Sequence, residues 1–194
     1  MMYMGLDKHE NEELIKHSWP EDVWFHVDKL SSAHVYLRLQ PGQTLDTLPE
    51  AVVMDCCQLV KANSIQGNKE NNVGIVYTLA SNLKKTGDMD TGQVGFHDQK
   101  AVRRARVEKR INEIVNRLDK TKTEKSTQKF IEEKEERDKK EREDKRREAR
   151  EQKAREAEEA KRNQEEASLK SYSNLMKPDQ MKSNRDIQDD DDFM

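Results

Sequence analysis

Hydrophobic and polar positions follow three different rhythms along this chain. From Val23 to Val27 they alternate, with Val23, Phe25 and Val27 on one face and Trp24 and His26 on the other. A second alternating run follows the polar segment Asp28 to Ser32. It sets Val35, Leu37 and Leu39 on one face and His34, Tyr36 and Arg38 on the other. Two such runs joined by a short polar loop predict an antiparallel strand pair, closed by Pro41-Gly42. The rhythm then becomes helical. Thr47-Leu48-Pro49-Glu50 has the spacing of a capping box with proline in the first turn, and Val52, Val53, Cys56, Leu59 and Val60 follow at helical intervals up to Asn63-Ser64. Val73 to Thr78 reads as a further strand, in which Gly74 marks a bulge or a close contact. Asn11 to Ile15 predicts a short helical turn stopped at Trp19-Pro20. Gly87, Gly92 and Gly95 punctuate a loop. Val107, Ile111, Ile114, Val115 and Leu118 form a last helical stripe flanked by Arg106, Arg110 and Arg117. Ala101 to Val107 reads equally as a strand or as the start of that helix.

Beyond Asp119 the apolar rhythm disappears. About two-thirds of the residues from there to Lys170 are charged, and acid–base pairs recur four residues apart, from Glu133/Arg137 through Glu141/Lys145 to Glu158/Arg162. Each such pair stabilises a helix by about 0.2–0.5 kcal/mol. A coiled coil needs apolar a and d positions, and this segment offers only alanines between Ile131 and Leu169. The expectation is a single charged helix, with weak dimerisation as the alternative. The chain is therefore read as a small α+β domain over 1–118, a charged helix over 119–170 and a disordered acidic tail over 171–194. Hydrophobic residues make up 32% of the 194 and charged residues 39%, a deficit that falls on the C-terminal half.

The net charge of −3 hides a strong local bias. Between Lys100 and Lys129 there are eleven basic residues against four acidic ones. Lys100, Arg103, Arg104, Arg106, Lys109 and Arg110, with Lys84 and Lys85 as an extension, are the candidate contacts to a polyanion, because phosphate attraction needs clustered positive charge. The plain alternative is a solvated basic helix, and an anionic membrane surface would use the same charge. Trp24, His26, His34, Tyr36 and Arg38 share one strand face and are candidates for stacking unpaired bases; the alternative is that a helix covers this face and Trp24 belongs to the core. No P-loop, nucleophile elbow or H-E-x-x-H motif is present, so neither catalysis nor a cofactor is expected. His26 and His34 lack the spacing of a structural zinc pair. Cys56 and Cys57 are adjacent and read as reduced thiols, in keeping with a cytoplasmic or nuclear setting. No apolar run is long enough to span a bilayer, which leaves peripheral membrane contact open. The small apolar island Ser171 to Met176 is either a protein-docking segment or of no consequence, and Asp189 to Asp192 reads chiefly as an aid to solubility, with competition for the basic surface as the alternative.

The strand sequences Asp22-Val23-Trp24-Phe25-His26 and Ser32-Ala33-His34-Val35 resemble the paired D-x-W-F-H and S-x-H-V elements of the NFACT-R family, formerly DUF814. Val76-Tyr77-Thr78, Lys84-Lys85, Gly87 and Gly92-Gln93-Val94 are similar to that family's later strand and glycine-bearing loop. The resemblance implies an α+β module that binds nucleic acid, RNA or DNA, and a link to ribosome-associated quality control. It also implies a further strand before Tyr3-Met4-Gly5, whose lack would leave a sheet edge unpaired. The rival expectation is an adaptor that recruits a ribosomal or other protein partner through residues 119–176.

Overall fold

The two alternating runs do pair, and they form the centre of a five-stranded antiparallel sheet. A computed structural model describes residues 1–171. The strands of the sheet are β1 (Met2–Met4), β2 (Val23–Val27), β3 (Val35–Leu37), β4 (Val73–Leu79) and β7 (Arg103–Val107), in the order β1-β3-β2-β4-β7. A two-stranded hairpin, β5 (Leu83–Lys84) with β6 (Gly95–Phe96), stands apart. The helices are α1 (Lys8–His17), α2 (Glu50–Ala62), α3 (Asn112–Lys120) and α4 (Thr127–Lys170). The α+β class expected from the pattern is the observed one.

The register puts the two sides of the sheet to different uses. Val23, Phe25, Val27, Val35, Leu37, Val73, Ile75 and Val107 face α2, whose Cys56, Cys57 and Val60 complete the main core. On the opposite face Tyr3, Tyr36, Trp24 and Thr78 form one row across four strands. His26, Val76 and Arg104 form the next row. Leu14 of α1, Phe96 of β6, Val94, Val102 and Phe130 of α4 pack on this second side.

Several local expectations are revised. The predicted capping box at Thr47 is not formed: Pro49 occupies the N-cap of α2, and Thr47 Oγ1 instead accepts the Thr44 N–H at 2.9 Å. The reciprocal cap belongs to α1. Asp7 accepts the His9 and Glu10 N–H groups at 2.9 and 2.8 Å, and Glu10 accepts the Leu6 N–H at 2.8 Å, which extends the predicted turn to ten residues. Gly74 makes no bulge, because its strand stays in register with both neighbours. The ambiguous stretch from Ala101 resolves as strand β7 over Arg103–Val107, so Val107 ends a strand, and Ile111, at 41% exposure, lies outside the stripe that packs α3. Both cysteines are free and buried.

The chain divides into two compact units, Met1–Arg137 and the part from Asp138 onward. The first unit thus runs past the boundary expected at 118, because Phe130, Glu133 and Arg137 at the start of α4 contact the domain. Glu133 and Arg137 do not form their expected mutual pair; each bonds the domain instead. Farther along α4 the Glu141–Lys145 pair does close, at 2.7 Å. No residue of α4 is buried. The acidic ending and nearly all of the Ser171 to Met176 island lie outside the described residues.

Candidate nucleic-acid interface

Strand β7 lies at one edge of the sheet, and its sequence Arg-Arg-Ala-Arg-Val alternates by design of the pleat. Arg103 and Ala105 point to the α2 side, where Arg103 pairs with the Asp46 carboxylate and donates to the Leu45 carbonyl at 3.3 Å. Arg104 and Arg106 point the other way and are exposed. Side chains two apart on one face of a strand sit about 7 Å from each other. Arg106 stands opposite Gly74, which has no side chain to fill the adjoining surface. Among the described residues, no carboxylate pairs with either guanidinium.

The remaining expected cations divide into two groups. Lys84, Lys100 and Lys109 are exposed, and among the described residues no ion pair engages their side chains. Arg110 is exposed but donates to Asn68 Oδ1 at 3.0 Å. Lys85 is committed to the fold: its ammonium bonds Glu12 at 2.7 Å and the Asp90 and Gln93 carbonyls at 2.7 and 2.9 Å. Arg103 is committed likewise. The expected basic helix is therefore an edge strand and the turn after it, since α3 begins only at Asn112.

The aromatic face expected to meet a ligand is covered. Trp24, His34 and Tyr36 are 2%, 2% and 0% exposed, because α1, β6 and the first turns of α4 lie over them. Trp24 Nε1 donates to His34 Nδ1 at 2.9 Å. His26 is half-buried, stacks on Trp24 with centroids 5.4 Å apart, and shares Nδ1 with the Val27 carbonyl at 2.7 Å. Burial pushes the His34 imidazole down to about 4 and holds His26 below its ordinary value. Both rings are neutral at pH 7 and add no charge for a phosphate. Arg38 is mostly buried and bonds Asp22 through Nε and Nη2, each at 3.2 Å.

The family profile described as the NFACT protein RNA binding domain matches residues 1–98. Coiled-coil domain-containing protein 25 of Mus musculus is 60% identical over 193 residues, covering 100% of this chain and 92% of that protein. The protein of the same name in Danio rerio is 64% identical, covering 100% and 93%. The chain belongs to this NFACT-R family. The fold has a solved counterpart: the C-terminal part of the fibronectin/fibrinogen-binding protein from Streptococcus suis superimposes with a TM-score of 0.50 at 21% identity, over 59% of this chain and 43% of that one.

Within this NFACT-R chain the structure reveals a second cluster, of which the strand pattern marked only Arg38. Asp22 is fully buried and accepts the Tyr3 hydroxyl at 2.5 Å and the Trp19 N–H at 3.0 Å besides Arg38. The Arg38 guanidinium lies 3.7 Å from the Trp19 ring centroid, and that of Arg137 lies 4.4 Å from it. Glu133 reaches Arg38 at 3.7 Å, and Arg137 reaches Glu21 at 2.8 Å. The sequence had marked Arg38 on the strand face and Asp22 in the D-x-W-F-H element, and Phe130, a solitary aromatic residue in a charged segment, was a signal left unread. Nothing in the alternation singled out Asp22, a carboxylate just before a strand.

Proposed function

We propose that this protein binds RNA without catalysis, its phosphates lying along the exposed face of β7. The observation that carries this reading is the pair Arg104 and Arg106: two exposed guanidiniums on one strand face, unpaired with any described carboxylate, in a chain of net charge −3. A guanidinium already held by a carboxylate gains little from a phosphate, whereas an unpaired one exchanges only water and counterions. Lys84, Lys100 and Lys109 extend the positive charge without internal partners. The matched family's description as RNA binding favours RNA over DNA, because phosphate contacts alone do not distinguish the two. The same charge suits a ribosomal RNA partner and a cytoplasmic setting.

Charge reversal tests the reading. Arg104→Glu with Arg106→Glu should lower affinity for single-stranded RNA at moderate salt by about tenfold or more, measured by fluorescence anisotropy. Arg103→Gln, which removes a cation already paired with Asp46, should change it far less. Equal effects from the two would refute the assignment to this strand face.

A second reading, a protein adaptor, is favoured by one observation: no residue of α4 is buried, which leaves its charged surface open to a partner. Protein partners recovered from cells that survive nuclease and the β7 charge reversal would favour it. No described helix is long and apolar enough to cross a membrane. Flotation with anionic vesicles would separate peripheral membrane contact from RNA binding.

A further inference from the structure

The start of α4 covers the aromatic side of the sheet with an unusual set of groups. The Phe130 ring sits 4.9 Å from Tyr3, and Tyr3 stacks on Tyr36 at 5.1 Å with the rings 10° from parallel. One turn on, the Glu133 carboxylate lies 3.7 Å from Arg38, whose guanidinium stands 5.4 Å from the Tyr3 ring. An aromatic ring on a tyrosine and an anionic oxygen on the neighbouring arginine are the two groups that an unpaired nucleotide would bring. Lys125 contacts both, at 3.6 Å from Glu133 and 5.8 Å from the Phe130 centroid.

We propose that Phe130 and Glu133 stand in for an unpaired nucleotide, and that the first three turns of α4 are a displaceable cover over a base-stacking site built by Tyr3, Trp19 and Arg38. The inference rests on the RNA-binding reading above and deepens it by naming unpaired nucleotides as the ligand. The cover is weakly held. No residue of α4 is buried, and the two ion pairs that tie it down are half-solvated: Glu133 and Glu21 keep 43% and 45% of their side-chain surface against 13% and 28% for Arg38 and Arg137, so solvent screens part of each attraction. The covered state also carries a cost. Trp19 Nε1, Tyr36 OH and Arg137 Nη1 are buried without a hydrogen-bond partner. Lifting the helix returns Arg137 to water and frees the outer face of Tyr3. A base then takes the place of the Phe130 ring, and a phosphate takes the place of the Glu133 carboxylate on Arg38, with spare acceptor oxygens for the Trp19 indole Nε1–H. Residues 121–126, which join α3 to α4 outside either helix, provide the pivot.

The test uses the full chain with Phe130→Ala and Glu133→Ala together. Hydrogen exchange reports opening of residues 127–137, and anisotropy reports affinity for a ten-nucleotide adenylate strand and for an RNA duplex of equal length. The expected result is faster exchange and an affinity gain of about fivefold or more for the single strand, the scale of one base–aromatic stack. The duplex, whose bases are already stacked, should not gain. Unchanged exchange, an unchanged or reduced single-strand affinity, or an equal gain for the duplex would each overturn the proposal. The two readings fail separately. Loss of the β7 reading shows as RNA affinity indifferent to Arg104→Glu/Arg106→Glu, whereas loss of the cover shows only in the Phe130/Glu133 variant.

Discussion

His34 shows how one residue couples the fold to pH. Its ring is 2% exposed, accepts the Trp24 N–H, and meets His26 edge-on at 4.8 Å. Burial comes first in pushing it from the ordinary 6.5 to about 4, and His26 and Lys85 add to the push, while the Gly92 backbone and Glu12 oppose it. The folded state therefore resists a proton that the unfolded chain accepts. The stability this confers is complete above pH 6.5 and is lost as pH falls from 6.5 towards 4, by about 3 kcal/mol in all. His34→Gln keeps an acceptor for Trp24 and removes the titration. Urea unfolding at pH 7 and pH 4 should show a smaller drop in the variant than in the parent. Equal drops would place the acid sensitivity elsewhere, among the carboxylates.

At the scale of elements, the sequence rhythm identified whatever was long and periodic. Strands β2 and β3 and helix α2 were legible because each presents several apolar residues at its own period. Strands β1, β5 and β6 were not, since two or three residues do not establish a period. Strand β7 was ambiguous because Arg-Arg-Ala-Arg-Val has one large apolar residue, as an edge strand with a solvated face allows. Alternation also told correctly that Trp24 and His26 share a face, and that His34, Tyr36 and Arg38 share one. It could not tell that Leu14, Phe96 and Phe130, all distant in sequence, would cover it. The candidate cations had a similar fate: exposure followed from composition, but the partners Asp46 for Arg103 and Glu12 for Lys85 followed only from the fold. Lys61 is the strongest case of a hidden role. It lies in the last turn of helix α2 at 1% exposure, with its ammonium on the Gly67 carbonyl at 2.5 Å and on the Glu70 carbonyl, and burial pushes its pKa down. It organises the loop between α2 and β4. Lys61→Met should lower stability by about 1–3 kcal/mol, because two carbonyls lose their donor. It should also speed hydrogen exchange through residues 64–70; unaltered exchange there would mean that the loop holds itself.

For the molecule as a whole, the charge balance makes a statement about salt. A chain of net charge −3 repels a polyanion at long range, so binding has to rest on a local cluster of cations, which we propose is that of β7 and its surroundings. At 0.1 M salt the screening length is about 10 Å, short enough to hide distant carboxylates while leaving direct phosphate contacts intact. Each phosphate neutralised on a single strand contributes about −0.7 to the slope of log affinity against log salt. Removing Arg104 and Arg106 together as Arg104→Ala/Arg106→Ala should therefore flatten that slope by about 1.4 between 50 and 200 mM salt. Below about 0.01 M the screening length grows to about 30 Å, and the acidic residues of the whole chain come into range. The gain in affinity should then level off, in contrast to a uniformly basic protein, whose affinity keeps rising. Anisotropy titrations across this salt range measure both quantities. A slope that is the same with and without the two arginines would mean that the phosphates lie against other cations, and a steady rise at the lowest salt would mean that the net negative charge stays far from the bound strand.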